Sequence, residues 1–217
     1  MAPAPAAVRI ILGSQSQSRH AILREMGYAN FEVVTADIDE GAIRAPLAED
    51  LVEMLAHAKA EAILVKLALN PERKQADKNA PVLLITADQV VVHEGVILEK
   101  PKSAEEARRV IRGYTRSPAT TVGAILVTNL ATGVRVGGVD KAEVYFNEIP
   151  NEVIEALIEE GSVFYSAGGL LVEHPLVSPL VEAMVGTIDS VMGMSKELTQ
   201  SLITQALASQ GGSSGIE

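Results

Sequence analysis

The chain contains no cysteine, which excludes disulfides, thiolate zinc sites and cysteine nucleophiles and leaves the redox compartment open. It also lacks any run of the roughly 20 apolar residues that a membrane span needs, because charges or Gly/Pro interrupt every apolar stretch. Positive charge is scarce: 18 Lys and Arg stand against 28 Asp and Glu, a formal net charge of -10. Such a balance disfavours nonspecific binding to a nucleic acid polymer, whose affinity comes largely from cations on phosphates. A small anionic ligand still fits, given a local cationic pocket and a divalent ion to offset the acidic surroundings. The four histidines, His20, His57, His93 and His174, are far apart and lack paired-ligand spacing, so no zinc site is assigned. Met1 to Ala7 has neither the basic start nor the long apolar middle of a secretory signal. The expectation is a soluble, unexported, cytoplasmic protein with no membrane contact.

Hydrophobic residues make up 47% of the 217 and charged ones 21%, the balance of a chain that folds on its own. With no long linker, repeat or abrupt compositional shift, residues 8–208 read as one domain. An Ala/Pro-rich tail, 1–7, precedes it, and a Gly/Ser-rich tail, 209–217, follows; both are expected to be flexible.

Val8 to Leu12 is a short β-branched run ending at Gly13, the pattern of a buried first strand. Ile22, Leu23 and Met26 predict a helix stopped by Gly27. Leu51, Leu55, Ala58, Ala62 and Val65 recur at helical spacing and place Lys59 and Lys66 on a helix of several turns. Val82 to Thr86 predicts a core strand that ends near Asp88, and Val90 to His93 pairs with Val96 to Leu98 across Glu94-Gly95. Ser103 and Glu106 match a capping box for a helix ended by Gly113. Thr121 to Thr128 and Val134 to Phe146 form a hairpin around Asn129 to Gly133, and Pro150 opens a helix running to Gly161. Gly169 to Glu173 is expected as a short strand, and Lys196 to Ala208 as a closing helix. The fold class is α/β with a mixed sheet.

Three strings carry chemistry. Ser14-Gln15-Ser16-Gln17-Ser18-Arg19-His20 lies between a strand and a helix start, where free backbone N–H groups and the helix dipole favour an anion. Its hydroxyls can donate to phosphate oxygens, and Arg19 can bind two oxygens at once; taken alone, the string also reads as a serine N-cap beside a solvated arginine. The Gly-x-x-x-x-Gly-Lys pattern of a Walker loop is absent. Thr86-Ala87-Asp88-Gln89 puts a carboxylate against a buried strand, where it must reach solvent, a metal or a cation. In Glu99-Lys100-Pro101, the proline biases Lys100 towards an extended conformation suited to neutralising a phosphate. Asp37, Asp39 and Glu40 form an acidic cluster in a loop.

In this order the segments resemble the Maf family of nucleotide pyrophosphatases from Val8 to about Leu202. The residues that carry the resemblance are Ser14-x-Ser16-x-x-Arg19, Asp37-Ile38-Asp39-Glu40, Ala58-Lys59-Ala60, Thr86-Ala87-Asp88-Gln89-Val90, Lys100-Pro101 and Thr121. The resemblance implies an elongated mixed sheet flanked by helices around a central cleft, similar to the inosine-triphosphatase architecture. It implies hydrolysis of a modified or pyrimidine nucleoside triphosphate to the monophosphate and pyrophosphate, with Mg2+ or Mn2+ as cofactor. Ser14, Ser16, Arg19, Lys59 and Lys100 would hold the triphosphate, with Lys100 also easing the reaction. Glu40 and Asp88 would bind metal or activate water, either one in either role, and Gln89 would orient substrate or water. The chain departs from the family where His20 replaces a second arginine, a change expected to weaken phosphate binding or alter base choice. Asp88-Gln89 and the basic residue after Arg19 look more like members acting on 7-methylguanosine triphosphate than those preferring dTTP and UTP. A homodimer is a further expectation of the resemblance. The alternative reading is a nucleotide-binding regulator that inhibits septum formation without turnover, against which the two carboxylates argue.

Overall fold

Seven strands gather the apolar runs into one sheet: β1 (Arg9–Leu12), β2 (Phe31–Val33), β3 (Val82–His93), β4 (Val96–Leu98), β5 (Ala119–Asn129), β6 (Arg135–Phe146) and β7 (Val181–Val185). The computed structural model describes residues 8–69 and 80–209. The expected tail over 1–7, and all of the tail expected over 209–217 except Ser209, lie outside the described residues. The sheet order is β2-β1-β3-β5-β6-β7, with β4 on β3. β1 runs parallel to β2 and β3, and every other pair is antiparallel, which makes the mixed α/β class explicit.

β3 organises the sheet. One edge pairs with β5 without a break from Leu83 to Val92. The other edge pairs with β1 at Val82–Ile85 and with β4 at Val91–His93. Among the described residues, no strand lies beside that edge from 86 to 90, so the sheet is open there.

Helices cover both faces, and strand alternation decides which residue meets which helix. α2 (Ala48–Ala68) packs Leu51, Val52, Leu55 and Ile63 against Ile11, Leu84, Val90 and Val122. On the opposite face Ile22 and Leu23 of α1 (Gln17–Glu25) and Leu202 and Ile203 of α6 (Lys196–Ala208) cover Ile10, Leu12, Leu83 and Ile85. Each such Leu or Ile contributes about 1.5–3 kcal/mol on burial. A second lobe forms where α3 (Ala104–Gly113), α4 (Asn151–Glu160) and residues 163–177 enclose Val91, Val144 and Phe146. A short helix, α5 (Ile188–Val191), precedes α6.

The caps explain several boundaries. Ser16 accepts from Arg19 N at 3.4 Å to start α1, and Gly27 beyond its end has φ +92°. Ser103 accepts from Glu106 N at 3.1 Å, while the Glu106 carboxylate turns back to Lys102 N at 2.8 Å.

Three expectations need correction, and one strand went unread. Asp88 sits inside β3, which continues to His93, because β5 pairs with the whole length and holds it extended. Gly169 to Glu173 is not a strand: Gly168 and Gly169 take φ +59° and +61°, which turns the chain away from the sheet, and the late strand is Val181–Val185. β2 carries only three residues and escaped the pattern. The buried stripe of α2 drifts to Ala60, Ile63 and Leu67, leaving Val65 exposed, because most of the helix is apolar and the period alone does not fix its phase.

Gly13, between β1 and the serine loop, packs so tightly that an added Cβ would lie 2.6 Å from both Ile63 Cδ1 and Thr86 Cγ2. Gly13→Ala is expected to cost about 1–3 kcal/mol through overpacking. A urea midpoint equal to that of the wild type would show that the junction yields.

Candidate active site

Where β3 has no neighbour on its open edge, a cleft of about 920 Å³ separates the two lobes. The structure brings all eight sequence-predicted site residues onto its lining: Ser14, Ser16, Arg19, Glu40, Lys59, Asp88, Gln89 and Lys100. Alternation along β3 deals Asp88 to the α2 face, with Leu84 and Val90, and Gln89 to the other.

Arg19 is fixed from three directions. Its Nε donates to Gly193 O at 3.0 Å, and its Nη1 donates to Ala87 O at 3.1 Å and to Ser14 Oγ at 3.2 Å. The Ala87 carbonyl lies on the unpaired stretch of β3, so the guanidinium takes the place of an absent ladder partner. Burial lowers the Arg19 pKa below the ordinary arginine range, and the charges of Asp88 and Glu40 oppose that shift. The group stays cationic at neutral pH. Ser14 Oγ also accepts from Ser16 N at 3.2 Å, which shapes the loop ahead of α1.

Facing this loop, Lys59 of α2 places its ammonium 2.5 Å from Asp88 Oδ1 and 3.0 Å from Glu40 Oε1. Thr86 Oγ1 donates to Ala56 O at 2.8 Å and sets the height of α2 against β3, which aligns Lys59 with Asp88. The side chains of Lys59 and Asp88 are each only 11% exposed, whereas that of Glu40, on a one-turn 3-10 helix, is 56% exposed. Gln89 Nε2 donates to Ser190 O at 2.8 Å, so its amide is anchored to α5. Lys100 is exposed at the cleft and, among the described residues, makes no hydrogen bond or ion pair.

The lining holds four cationic side chains, Arg19, Lys59, Lys100 and Lys102, and four anionic ones, Glu40, Asp88, Glu99 and Glu173. The formal charge of the cleft is therefore balanced before any ligand enters.

His20, where the chain departs from the family pattern, lies off the cleft. Its ring is buried beneath the loop, with Nε2 bonded to Ser14 O at 2.8 Å and an edge contact to Phe31, and it does not line the cleft. It is part of the loop's support. Asp37 and Asp39 also stay off the lining, and Thr121 is buried in β5 with its hydroxyl donating to Ala142 O at 3.3 Å.

Sequence reasoning missed the second wall, which includes Ser162, Tyr165, Ser166, Leu170, Leu171, Val172 and Glu173. Its one cue in the sequence is the Gly168-Gly169 pair. Gly168 N donates to Glu99 O at 2.9 Å and Gly168 O accepts from Tyr114 at 2.7 Å, so this wall is tied to the segment that carries Lys100. Arg44, also missed, bonds Glu40 O at 3.2 Å and Glu99 Oε1 at 3.3 Å, linking the two lips.

Residues 9–206 match the family model described as Maf-like protein. A 7-methyl-GTP pyrophosphatase of Dictyostelium discoideum is 37% identical over 90% of this chain and 96% of its own length. A dTTP/UTP pyrophosphatase of Geotalea uraniireducens is 31% identical over 85% and 88%, respectively. A nucleoside triphosphate pyrophosphatase of Streptomyces coelicolor is 30% identical over 90% and 89%. The serine loop, the Lys59–Asp88 pair and Lys100 thus sit within a match that spans nearly the whole chain, and the protein belongs to the Maf family.

Proposed function

We propose that this protein hydrolyses nucleoside triphosphates to the monophosphate and pyrophosphate in a metal-dependent reaction that clears unwanted nucleotides. The observation that carries the reading is the Lys59 ammonium seated between Asp88 and Glu40, at 2.5 and 3.0 Å, opposite the Arg19–Ser14 loop. The pyrophosphatase activities named for the relatives support it.

The metal requirement rests on charge and donor set. A polyanion entering a cleft of balanced formal charge needs additional positive charge. Among the described residues no group of three or more His, Asp or Glu side chains forms a metal cage. Mg2+ commonly binds through one or two carboxylates plus the substrate's own phosphates, so Asp88 and Glu40 fit an ion that arrives with the triphosphate. The Lys59 ammonium already marks the place between them where a cation is held. When bound, Mg2+ or Mn2+ would neutralise phosphate charge and acidify a water.

The chain's own groups do the rest. Ser14, Ser16 and the first N–H groups of α1 cradle phosphate oxygens, with Arg19 held rigid by Gly193 and Ala87. Lys100, exposed and unpartnered among the described residues, folds over the phosphates. Water adds to the α-phosphorus as Asp88 or Glu40 accepts its proton. The bond from the α-phosphorus to the bridging oxygen breaks, and pyrophosphate leaves with the electron pair. Lys59 keeps both carboxylates aimed, and most of the acceleration comes from such positioning and charge neutralisation.

Asp88→Asn is expected to lower kcat by about 10²–10⁴-fold without unfolding the protein, since Lys59 retains Glu40; circular dichroism and steady-state rates check both halves. Near-normal turnover would remove Asp88 from the mechanism. Arg19→Lys loses the planar fork and is expected to reduce kcat/KM by roughly tenfold or more; unchanged kinetics would refute the phosphate cradle. Chromatography of products with Mg2+ or EDTA separates the alternatives: metal-dependent monophosphate and pyrophosphate is the expected result. Orthophosphate, or turnover indifferent to EDTA, would overturn the proposal, and nucleotide binding without turnover would favour a regulator.

A further inference from the structure

Apart from the cleft, a second groove of about 720 Å³ lies along α3, and its lining is chemically one-sided. Arg108, Arg109, Arg112 and Arg116 bring four guanidiniums to it, against the two carboxylates of Glu105 and Glu106. The lining thus carries a surplus of two positive charges in a chain whose net charge is -10 and whose main cleft is balanced. The winding of α3 explains the face: Ala107, Val110, Ile111 and Gly113 turn inward, and Arg109 and Arg112 turn outward. Past the helix end the chain keeps turning, with Arg116 N donating to Gly113 O at 2.9 Å, which brings Arg116 to the same groove.

Two of the four arginines are committed to neighbours. Arg108 forks onto the Glu155 carboxylate at 2.6 and 2.7 Å, and Arg112 sends Nε and Nη2 to the neutral Oδ1 of Asn151 at 3.1 and 2.9 Å. Arg109 and Arg116 are exposed and, among the described residues, make no hydrogen bond or ion pair. The negative end of the α3 dipole accounts for a cation in the last turn, Arg112, but not for Arg109 ahead of that turn or Arg116 beyond the helix. The Glu106 carboxylate is itself engaged, accepting from Lys102 N at 2.8 Å.

We propose that this groove binds a short inorganic oligophosphate, at a site separate from the cleft and from the reaction assigned to it. Guanidiniums meet phosphate oxygens through parallel N–H bonds, and several around one space match a compact anion of three or more charges. Among the described residues no aromatic or aliphatic side chain lines the groove, so nothing there stacks a base or holds an acyl chain. A protein partner fits poorly on the same face. Interfaces are anchored by buried apolar and aromatic side chains, and none of the large exposed hydrophobic residues among those described belongs to α3 or α4. Positive charge without apolar surface selects a small polyanion.

Titration of the full chain with inorganic tripolyphosphate in EDTA, followed by heteronuclear NMR, tests the site. The backbone amides of residues 103–116 and the side-chain amide of Asn151 are expected to shift, at concentrations about tenfold or more below those needed with orthophosphate at matched ionic strength. Arg109→Gln/Arg116→Gln removes two exposed cations that have no partner among the described residues. That variant is expected to keep its circular dichroism and to weaken the response by about tenfold or more. Arg19→Lys, in the cleft, is expected to leave the groove response unchanged. Amides that stay in place, or that move equally with sodium chloride at the same ionic strength, would overturn the proposal. A response that survives the double substitution would do the same. An equal or stronger response to citrate or to a polyglutamate peptide would give the groove to carboxylates and refute the phosphate site.

Discussion

One edge of β3 is shared between two strands that do not meet. β1 takes its first residues and β4 its last, while β5 holds the opposite edge throughout. A strand supported on only one side keeps its direction but leaves backbone groups without a ladder partner, and buried ones must find another. Arg19 answers that need at Ala87. The same gap lets two successive side chains, Asp88 and Gln89, reach a cavity from the middle of a core strand. The site therefore exists because the sheet is interrupted, and the interruption persists because a cation and a serine loop occupy its border.

The fold was largely legible in the sequence because long apolar runs with caps leave few choices. α6 begins and ends where its pattern and its neighbours Ser195 and Ser209 place it, and the β5–β6 hairpin follows its turn residues. The site was legible at its charged positions. A carboxylate among Val82–Val92 has no stable place without a counterion, and Lys59 on the neighbouring helix α2 is its partner. The second wall was not legible. Its residues form no periodic element, since positive-φ glycines and short 3-10 turns set their path, and those conformations depend on contacts with Tyr114 and Glu99 that lie distant in sequence. His20 was misplaced for a related reason: which side of α1 faces the cleft depends on packing against Phe31, a residue of the strand that the pattern also missed.

Electrostatically the cleft is built for exchange rather than for stability. A nearly buried ammonium between two carboxylates gains little over a well-packed apolar trio, because desolvation offsets most of the attraction. Its value lies in holding three groups oriented before a ligand arrives, so that little reorganisation accompanies the reaction. Arg44, bridging the Glu40 turn and Glu99, holds the two lips at a fixed separation by contacts on the exposed rim.

The guanidinium of Arg19 touches the backbone of Gly193, 174 residues further along the chain. During synthesis the serine loop, α2 and β3 all emerge from the ribosome long before this carbonyl does. An incomplete chain that ends short of α5 already owns Ser14, Lys59 and Asp88 yet leaves their arginine anchored at two points in place of three. The cation of the phosphate loop is thus completed from the far end of the chain, and a ligand that favours the anchored state adds its free energy to the folded protein.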